Sequence, residues 1–152
     1  MHVGYLFPAT TGSITVVSSV SAAISKALIA AVYTGVSTTT PISTFSVSSG
    51  ASTSPQIALN SSNNDTPIAF LHTYLTGIAS FTTGAGEIER QEITAGTGHD
   101  ADGVLTETAG GSTVTLSALI STSATWLAIG VSLNSTIGAA AVVPGFQVIL
   151  MG

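Results

Sequence analysis

Apolar and hydroxyl side chains alternate along most of this chain, and this two-residue period constrains the fold more than any other feature. In residues 113–120, the sequence TVTLSALI has an apolar residue at every second position, and ITVVSSV over residues 14–20 shows a related pattern. Such alternation places one face of a strand on a core and the other face outward. The pattern therefore predicts strands, and it predicts very little helix.

Turn signals divide these strands. They are glycines or Asn-rich runs at Gly12, Gly35, Gly50, 60–65, 84–86, 96–98 and 110–111. We predict strands near residues 13–20, 27–34, 43–48, 55–60, 67–76, 87–94, 103–108, 112–120, 125–133 and 145–150. Short strands at this spacing are typical of an all-β fold, an antiparallel β-sandwich.

Charge is scarce, and it is concentrated in one segment. Only nine of the 152 residues are charged, and seven of these lie between Glu87 and Glu107, whereas Ser and Thr number 21 and 23. A soluble domain normally devotes about a quarter of its residues to charged side chains. A surface built from hydroxyl groups suits packing against copies of the same chain, a crowded assembly or high salt.

The composition excludes several classes of function. Lys26 and Arg90 are the only basic residues beside a net charge of −5, which is too few cations to bind a nucleic-acid backbone. The absence of cysteine excludes disulfides, thiolate metal sites and cysteine nucleophiles. The start of the chain lacks a basic region and meets Pro8 early, so we expect no signal peptide. The apolar runs at 27–32 and 137–150 are too short or too interrupted to span a membrane, so no membrane partner is expected.

Two segments near the start carry a family resemblance. The first combines Tyr5-Leu6 and Pro8 with Thr11-Gly12 and residues 15–17, TVV. The second reads AAVYTGV over residues 30–36, followed by Thr40-Pro41. Residues 81–90 and ATWLAIGV over residues 124–131 continue the pattern. Over about residues 5–133 the chain resembles a jelly-roll domain of bacterial extracellular and phage structural proteins.

The resemblance implies a β-sandwich of jelly-roll type over residues 1–133. Members of the family usually carry additional strands before the segment at which this chain begins, and this chain adds a C-terminal extension over residues 134–152. A sandwich without its first strands leaves an open edge. We therefore expect the extension to supply an extra strand, either within its own domain or exchanged with a neighbour. The candidate subunit-contact residues are Tyr5, Phe7, Phe146, Val148 and Leu150.

The acidic segment is the one candidate ligand site. Asp100 and Asp102, followed by Gly103, resemble the start of a calcium loop, although the further ligands of an EF-hand are missing. The alternative interpretation is a solvated polar loop. A glycosidase pair is disfavoured because no Trp or Tyr lies nearby in sequence. Serine nucleophile chemistry lacks its Gly-x-Ser-x-Gly motif, so we predict no catalytic residues.

Two further residues have a structural and a functional interpretation. His72 lies between Phe70 and Tyr74 at strand spacing, which indicates a half-buried sheet position, although zinc binding with His99 and a carboxylate stays open. Trp126 lies among Leu127, Ile129 and Val131, which indicates a core position more than an exposed sugar platform.

The resemblance implies a non-enzymatic virion structural protein, namely a capsid decoration or cement subunit, or a tail or fibre subunit, of a tailed phage. The hydroxyl-rich surface and the lack of a signal peptide and of catalytic motifs agree with this expectation. We expect a homo-oligomer, in the first instance a trimer, that contacts the major capsid protein or another virion protein and needs no cofactor. The alternative is an extracellular module that binds a glycan or a cell surface, with calcium as the one candidate ligand. The structural protein would be located in the virion. The alternative binding module would be extracellular.

Overall fold

A computed structural model describes residue 29 and residues 31–74, 80–93, 102–108, 110–135 and 141–142. These residues form antiparallel strands without any helix, so the predicted all-β class is confirmed. The strands are β1 (Tyr33–Thr34), β2 (Ile42–Ser52), β3 (Gln56–Asn60), β4 (Thr66–Thr73), β5 (Phe81–Thr83), β6 (Ile88–Ile93), β7 (Asp102–Glu107), β8 (Thr113–Ile120), β9 (Ala124–Leu133) and β10 (Ala141–Val142). Within this described part, no helix has the length and apolar character needed to cross a membrane.

The strands form three sheets. A five-stranded sheet has the order β2-β9-β4-β7-β6, a three-stranded sheet has the order β3-β8-β5, and β1 pairs with β10. The pairing is nested along the chain, because β2 pairs with β9, β3 with β8 and β4 with β7. Strands that are distant in sequence therefore lie side by side.

One hydrophobic core joins the two larger sheets, as in a β-sandwich. Its buried residues are Ile57, Leu59, Ala69, Leu71, Phe81, Val104, Leu116, Ala118, Ile120, Ala124, Trp126 and Ala128. The alternation predicted from the sequence supplies these residues, since β3 and β8 bury every second side chain. The central strand β4 is buried along nearly its whole length, which shows that both of its faces are covered.

A smaller cluster lies on the other face of the five-stranded sheet. Ile68, Val131 and Leu133 form it, and Tyr33, Val36 and Ile42 pack against them. Val131 and Ala128 are three residues apart on β9, so their side chains point to opposite faces. The segment around β1 therefore covers part of the sheet face that the three-stranded sheet does not cover.

Most of the predicted strands are present, with four differences, of which one is that β10 was not predicted. The strand predicted at 27–34 is limited among the described residues to Tyr33–Thr34, since Ile29, Ala31 and Val32 lie outside any strand. Strand β5 was not predicted, because three residues are too few to show a period. Gly50 was predicted as a turn but lies inside β2, where its missing side chain leaves room for the Trp126 ring. The strands predicted at 13–20 and 145–150 lie outside the described residues.

Candidate functional site

The charged segment lies along one edge of the five-stranded sheet. Glu89, Arg90 and Glu92 are on the edge strand β6, Glu87 directly precedes this strand, and Glu107 ends the adjacent strand β7. The register shifts between Glu89 and Gln91, which marks a bulge. We call these five residues the charged edge. They form the candidate site, because they bring together most of the charge that the structure describes.

Glu107 is the buried centre of a three-residue contact. The guanidinium of Arg90 forms an ion pair with Glu107 Oε1, and the Tyr33 hydroxyl donates a hydrogen bond of 2.9 Å to Glu107 Oε2. Burial, followed by the negative charge of Glu107, raises the pKa of the Tyr33 phenol well above its ordinary value. The hydrogen bond to Glu107 raises the pKa of Arg90. The phenol thus acts as a neutral donor, and the contact fastens β1 to β6 and β7.

Glu87 links the two larger sheets. Its Oε2 accepts a hydrogen bond of 2.7 Å from the Thr106 hydroxyl on β7. Its Oε1 accepts from the backbone N–H of Ser117 on β8 at 2.9 Å and from the Ser117 hydroxyl at 3.1 Å. Glu92 has a similar role, because its Oε2 accepts from the backbone N–H of Phe81 on β5 at 2.8 Å. Both carboxylates therefore satisfy donors that belong to the other sheet.

A fourth carboxylate fixes the turn between β3 and β4. Asp65 is buried, and its Oδ2 accepts from the Ser43 hydroxyl at 2.7 Å, from the Ser62 backbone N–H at 3.2 Å and from the Ser132 hydroxyl at 3.2 Å. Buried carboxylates need such donors because losing hydration is costly. The sequence marked this segment as a turn but gave no sign that its aspartate would be buried.

The predicted calcium ligands are not assembled into a site in the described part of the chain. Asp102 begins β7 opposite Thr73, and Asp100 lies outside the described residues. Among the residues that are described, no three His, Asp or Glu side chains are placed to hold a metal ion together. Calcium binding at Asp100 and Asp102 therefore stays a prediction. Separately, the buried atoms Thr73 Oγ1 and Arg90 Nε have no hydrogen-bond partner.

His72 and Trp126 have the structural positions that the sequence predicted. His72 is half-buried on β4, and its ring meets the Tyr74 ring edge-on with centroids 4.6 Å apart. Trp126 is buried in the core, and its Nε1 donates a hydrogen bond of 2.9 Å to the Ser52 hydroxyl. Trp126 thus packs the core and does not present an exposed platform.

The predicted subunit-contact residues Tyr5, Phe7, Phe146, Val148 and Leu150 lie outside the described residues. The large apolar side chains that the described part exposes are Phe45, Val47, Tyr74, Ile88 and Leu119. Phe45 and Val47 lie on the same face of β2, and they were not among the predicted contact residues. The uncharged alternation of residues 42–52 could have indicated them.

Comparison of the chain with protein-family models, with curated proteins and with solved structures finds no match in any of the three.

Proposed function

We propose that this chain is a non-enzymatic structural subunit that works by packing against copies of itself and against other virion proteins. A capsid decoration or cement role in a tailed phage is the first setting, and a tail or fibre role is the second. Both settings come from the resemblance to jelly-roll structural proteins. A subunit of this kind needs surfaces for contact with other subunits, and it needs no reacting group.

The observation that carries the proposal is the use of charge inside the fold. Of the six charged side chains described, Asp65, Glu87, Arg90, Glu92 and Glu107 are each bound to another group of the protein, which leaves exposed Glu89. The described charges thus hold strands together. The remaining surface offers hydroxyl and apolar groups, which form contacts through packing and backbone hydrogen bonds.

The strand order supports the jelly-roll part of the proposal. A jelly roll contains eight strands in two sheets with Greek-key connections. Strands β2 to β9 number eight, and their nested pairing is what results when one long hairpin folds over on itself. Strand β6 departs from this scheme, because it pairs with β7 in place of its sequence neighbour β5.

The exposed Tyr74 ring favours the alternative, an extracellular module that binds a glycan or a surface polymer. Tyr74 is braced against His72, and exposed aromatic rings offer flat surfaces for sugar rings. If the chain has this function, the native chain binds a sugar and the Tyr74→Ala chain does not bind it. The assembly proposal predicts no sugar binding to either chain.

Native mass at micromolar concentration, measured with and without calcium, tests the proposed function. A discrete homo-oligomer of unchanged mass in calcium is the expected result. A stable monomer whose melting temperature rises in calcium, or which binds a sugar, would overturn the proposal in favour of the binding module.

A further inference from the structure

Within the described residues, strand β2 is an unprotected edge of the five-stranded sheet. It has eleven residues and pairs with β9 along one side, and no strand of the described chain pairs with its other side. Its sequence, ISTFSVSSGAS, contains neither a charge nor a proline. An edge of this kind presents unpaired backbone groups that can bind another strand.

The other sheet edges of the described residues are protected. Strand β6 carries Glu89, Arg90 and Glu92 together with a bulge, while β3 and β5 have five and three residues. Charges, bulges and short length are the usual means by which proteins prevent pairing at an edge. Strand β2 has a bulge of its own between Ile42 and Thr44, but its pairing is regular from Thr44 to Ser52, and it exposes 59% of Phe45 and 53% of Val47. It is therefore the described edge that is suited to pairing.

We propose that β2 pairs in antiparallel fashion with β2 of a second copy of this chain, which produces one ten-stranded sheet from two five-stranded sheets. The inference names the partner and the contact for the self-association proposed above, and in that sense it rests on the proposed function. The contact is two-fold. By itself this contact produces a dimer. If a different contact builds a trimer, the β2 contact would join one trimer to another.

The strand is complementary to itself. A two-fold axis at Ser46 places Phe45 of each copy opposite Val47 of the other copy. The contact therefore contains two identical Phe–Val pairs. Phe45 and Val47 are on one face of β2, because they pair with Val131 and Ile129, which are two residues apart on β9. Pairs of an aromatic and a β-branched side chain directly across two strands are favourable. Over the regular part of the strand, from Thr44 to Ser48, the same register keeps every side chain opposite one that points to the same face.

The distribution of charge favours a second copy as the occupant. Strands β2 and β6 are at opposite edges of the sheet, so the two charged edges would lie at the two ends of the ten-stranded sheet. Nine strand spacings of about 4.8 Å separate them, or roughly 43 Å. This distance is several times the Debye length of about 8 Å in physiological salt. Repulsion between the two charged edges therefore opposes pairing only weakly.

Sedimentation equilibrium from about one to several hundred micromolar measures this contact, since a single edge-to-edge contact is small and its dimer is expected to be weak. Val47→Lys places a charge on the pairing edge, which is how natural edges are protected. Leu119→Lys is the matched control, because Leu119 is 57% exposed on the central strand of the other sheet. We expect Val47→Lys to weaken the dimer at least about tenfold and Leu119→Lys to change it less than about twofold. Circular dichroism verifies that both variants fold.

A second measurement retains the native edge. Because the chain has no cysteine, Ser46→Cys introduces one thiol at the proposed axis. Directly opposite residues in antiparallel strands have Cα atoms about 4.5–5.5 Å apart, within the range that a disulfide spans. Mild oxidation should give a covalent dimer of the Ser46→Cys chain, and little dimer of the Ser112→Cys control, whose residue is exposed and is not part of β2.

The outcomes separate the two proposals. Loss of the dimer in Val47→Lys alone, together with the Ser46→Cys cross-link, supports β2 pairing. An oligomer that Val47→Lys leaves unchanged, without a cross-link, overturns β2 pairing while the proposed assembly function stands. A native chain that remains monomeric over the whole range overturns β2 pairing and the assembly function together.

Discussion

At the scale of single residues, the carboxylates of this protein act as hydrogen-bond acceptors that hold separate strands together. Glu107 accepts a hydrogen bond from Tyr33 and forms an ion pair with Arg90. Glu87 accepts hydrogen bonds from donors on both of the larger sheets. A buried charge is tolerated only when donors replace its lost hydration. We therefore expect substitutions at these positions to lower stability, with each effect set by the number of donors left unsatisfied.

Asp65→Asn tests this expectation in the turn between β3 and β4. The amide of asparagine loses the charge, and it accepts fewer hydrogen bonds than the carboxylate that now receives Ser43, Ser62 and Ser132. We expect the free energy of unfolding to fall by about 1–3 kcal/mol, as measured by urea denaturation. Asn64→Asp, at an exposed neighbouring position, is the control and should change it by less than about 0.5 kcal/mol. Equal stability of the native and Asp65→Asn chains would contradict the role given to Asp65.

The contact of Tyr33 with Glu107 should make the stability of the protein depend on pH in the alkaline range. Its pKa is raised in the folded protein, so between its unfolded value of about 10 and its higher folded value the unfolded state binds fewer protons. Stability from this group is therefore complete below about pH 10 and is lost as the pH rises further. Tyr33→Phe should be less stable than the native chain by about 1–2 kcal/mol at pH 8, and this difference should shrink at pH 11.

Urea midpoints at the two pH values measure this difference. Tyr74→Phe, which removes an exposed phenol, is the control for the general effect of losing a tyrosine. If the difference between Tyr33→Phe and the native chain stayed constant from pH 8 to pH 11, burial of the Tyr33 phenol beside Glu107 would not be coupled to folding.

At the scale of strands, glycines allow large side chains to fit between the sheets. A Cβ atom at Gly50 would lie 2.7 Å from Trp126 Cζ2, and one at Gly130 would lie 2.9 Å from Leu59 Cδ1. Both distances are shorter than a carbon–carbon contact permits. The core therefore depends on small residues in β2 and β9 as much as on its large ones.

Gly130→Ala should destabilise the protein because the added Cβ would lie within 3.2 Å of three side-chain atoms of Leu59, which is itself buried. Overpacking of this kind costs roughly 1–3 kcal/mol. The control is Gly111→Ala, where the nearest atom to an added Cβ is Val114 Cγ1 at an ordinary 3.6 Å. Thermal unfolding of the two variants provides the comparison. A melting temperature of Gly130→Ala equal to that of Gly111→Ala would show that the sheets are less closely packed than described.

The sequence predicted strands far better than it predicted their partners. Alternation located β3 and β8 and the core position of Trp126, because burial of one sheet face imposes that period. It did not locate β5, which is too short, or Gly50, whose role depends on a ring 76 residues away in sequence. The hydrogen bonds of Glu87 and Glu107 were not predictable either. They join strands that are distant in sequence, and no local pattern specifies such pairs.

At the scale of the whole molecule, the five-stranded sheet has two unlike edges. Strand β6 carries charge, while β2 carries hydroxyl and apolar groups and exposes Phe45 and Val47. A contact built on β2 would depend on backbone hydrogen bonds and apolar burial. Salt screens attraction between exposed charges but does not weaken apolar contact, so the response to salt distinguishes the two kinds of assembly.

The native mass at a fixed protein concentration of some hundred micromolar, measured from about 0.05 to 1 M salt, is the most direct test of the claim that this protein assembles through uncharged surfaces. The account predicts an oligomer whose mass is unchanged, or which becomes tighter, as salt increases. A chain that is monomeric at every salt concentration, or an oligomer that dissociates as salt increases, would contradict it.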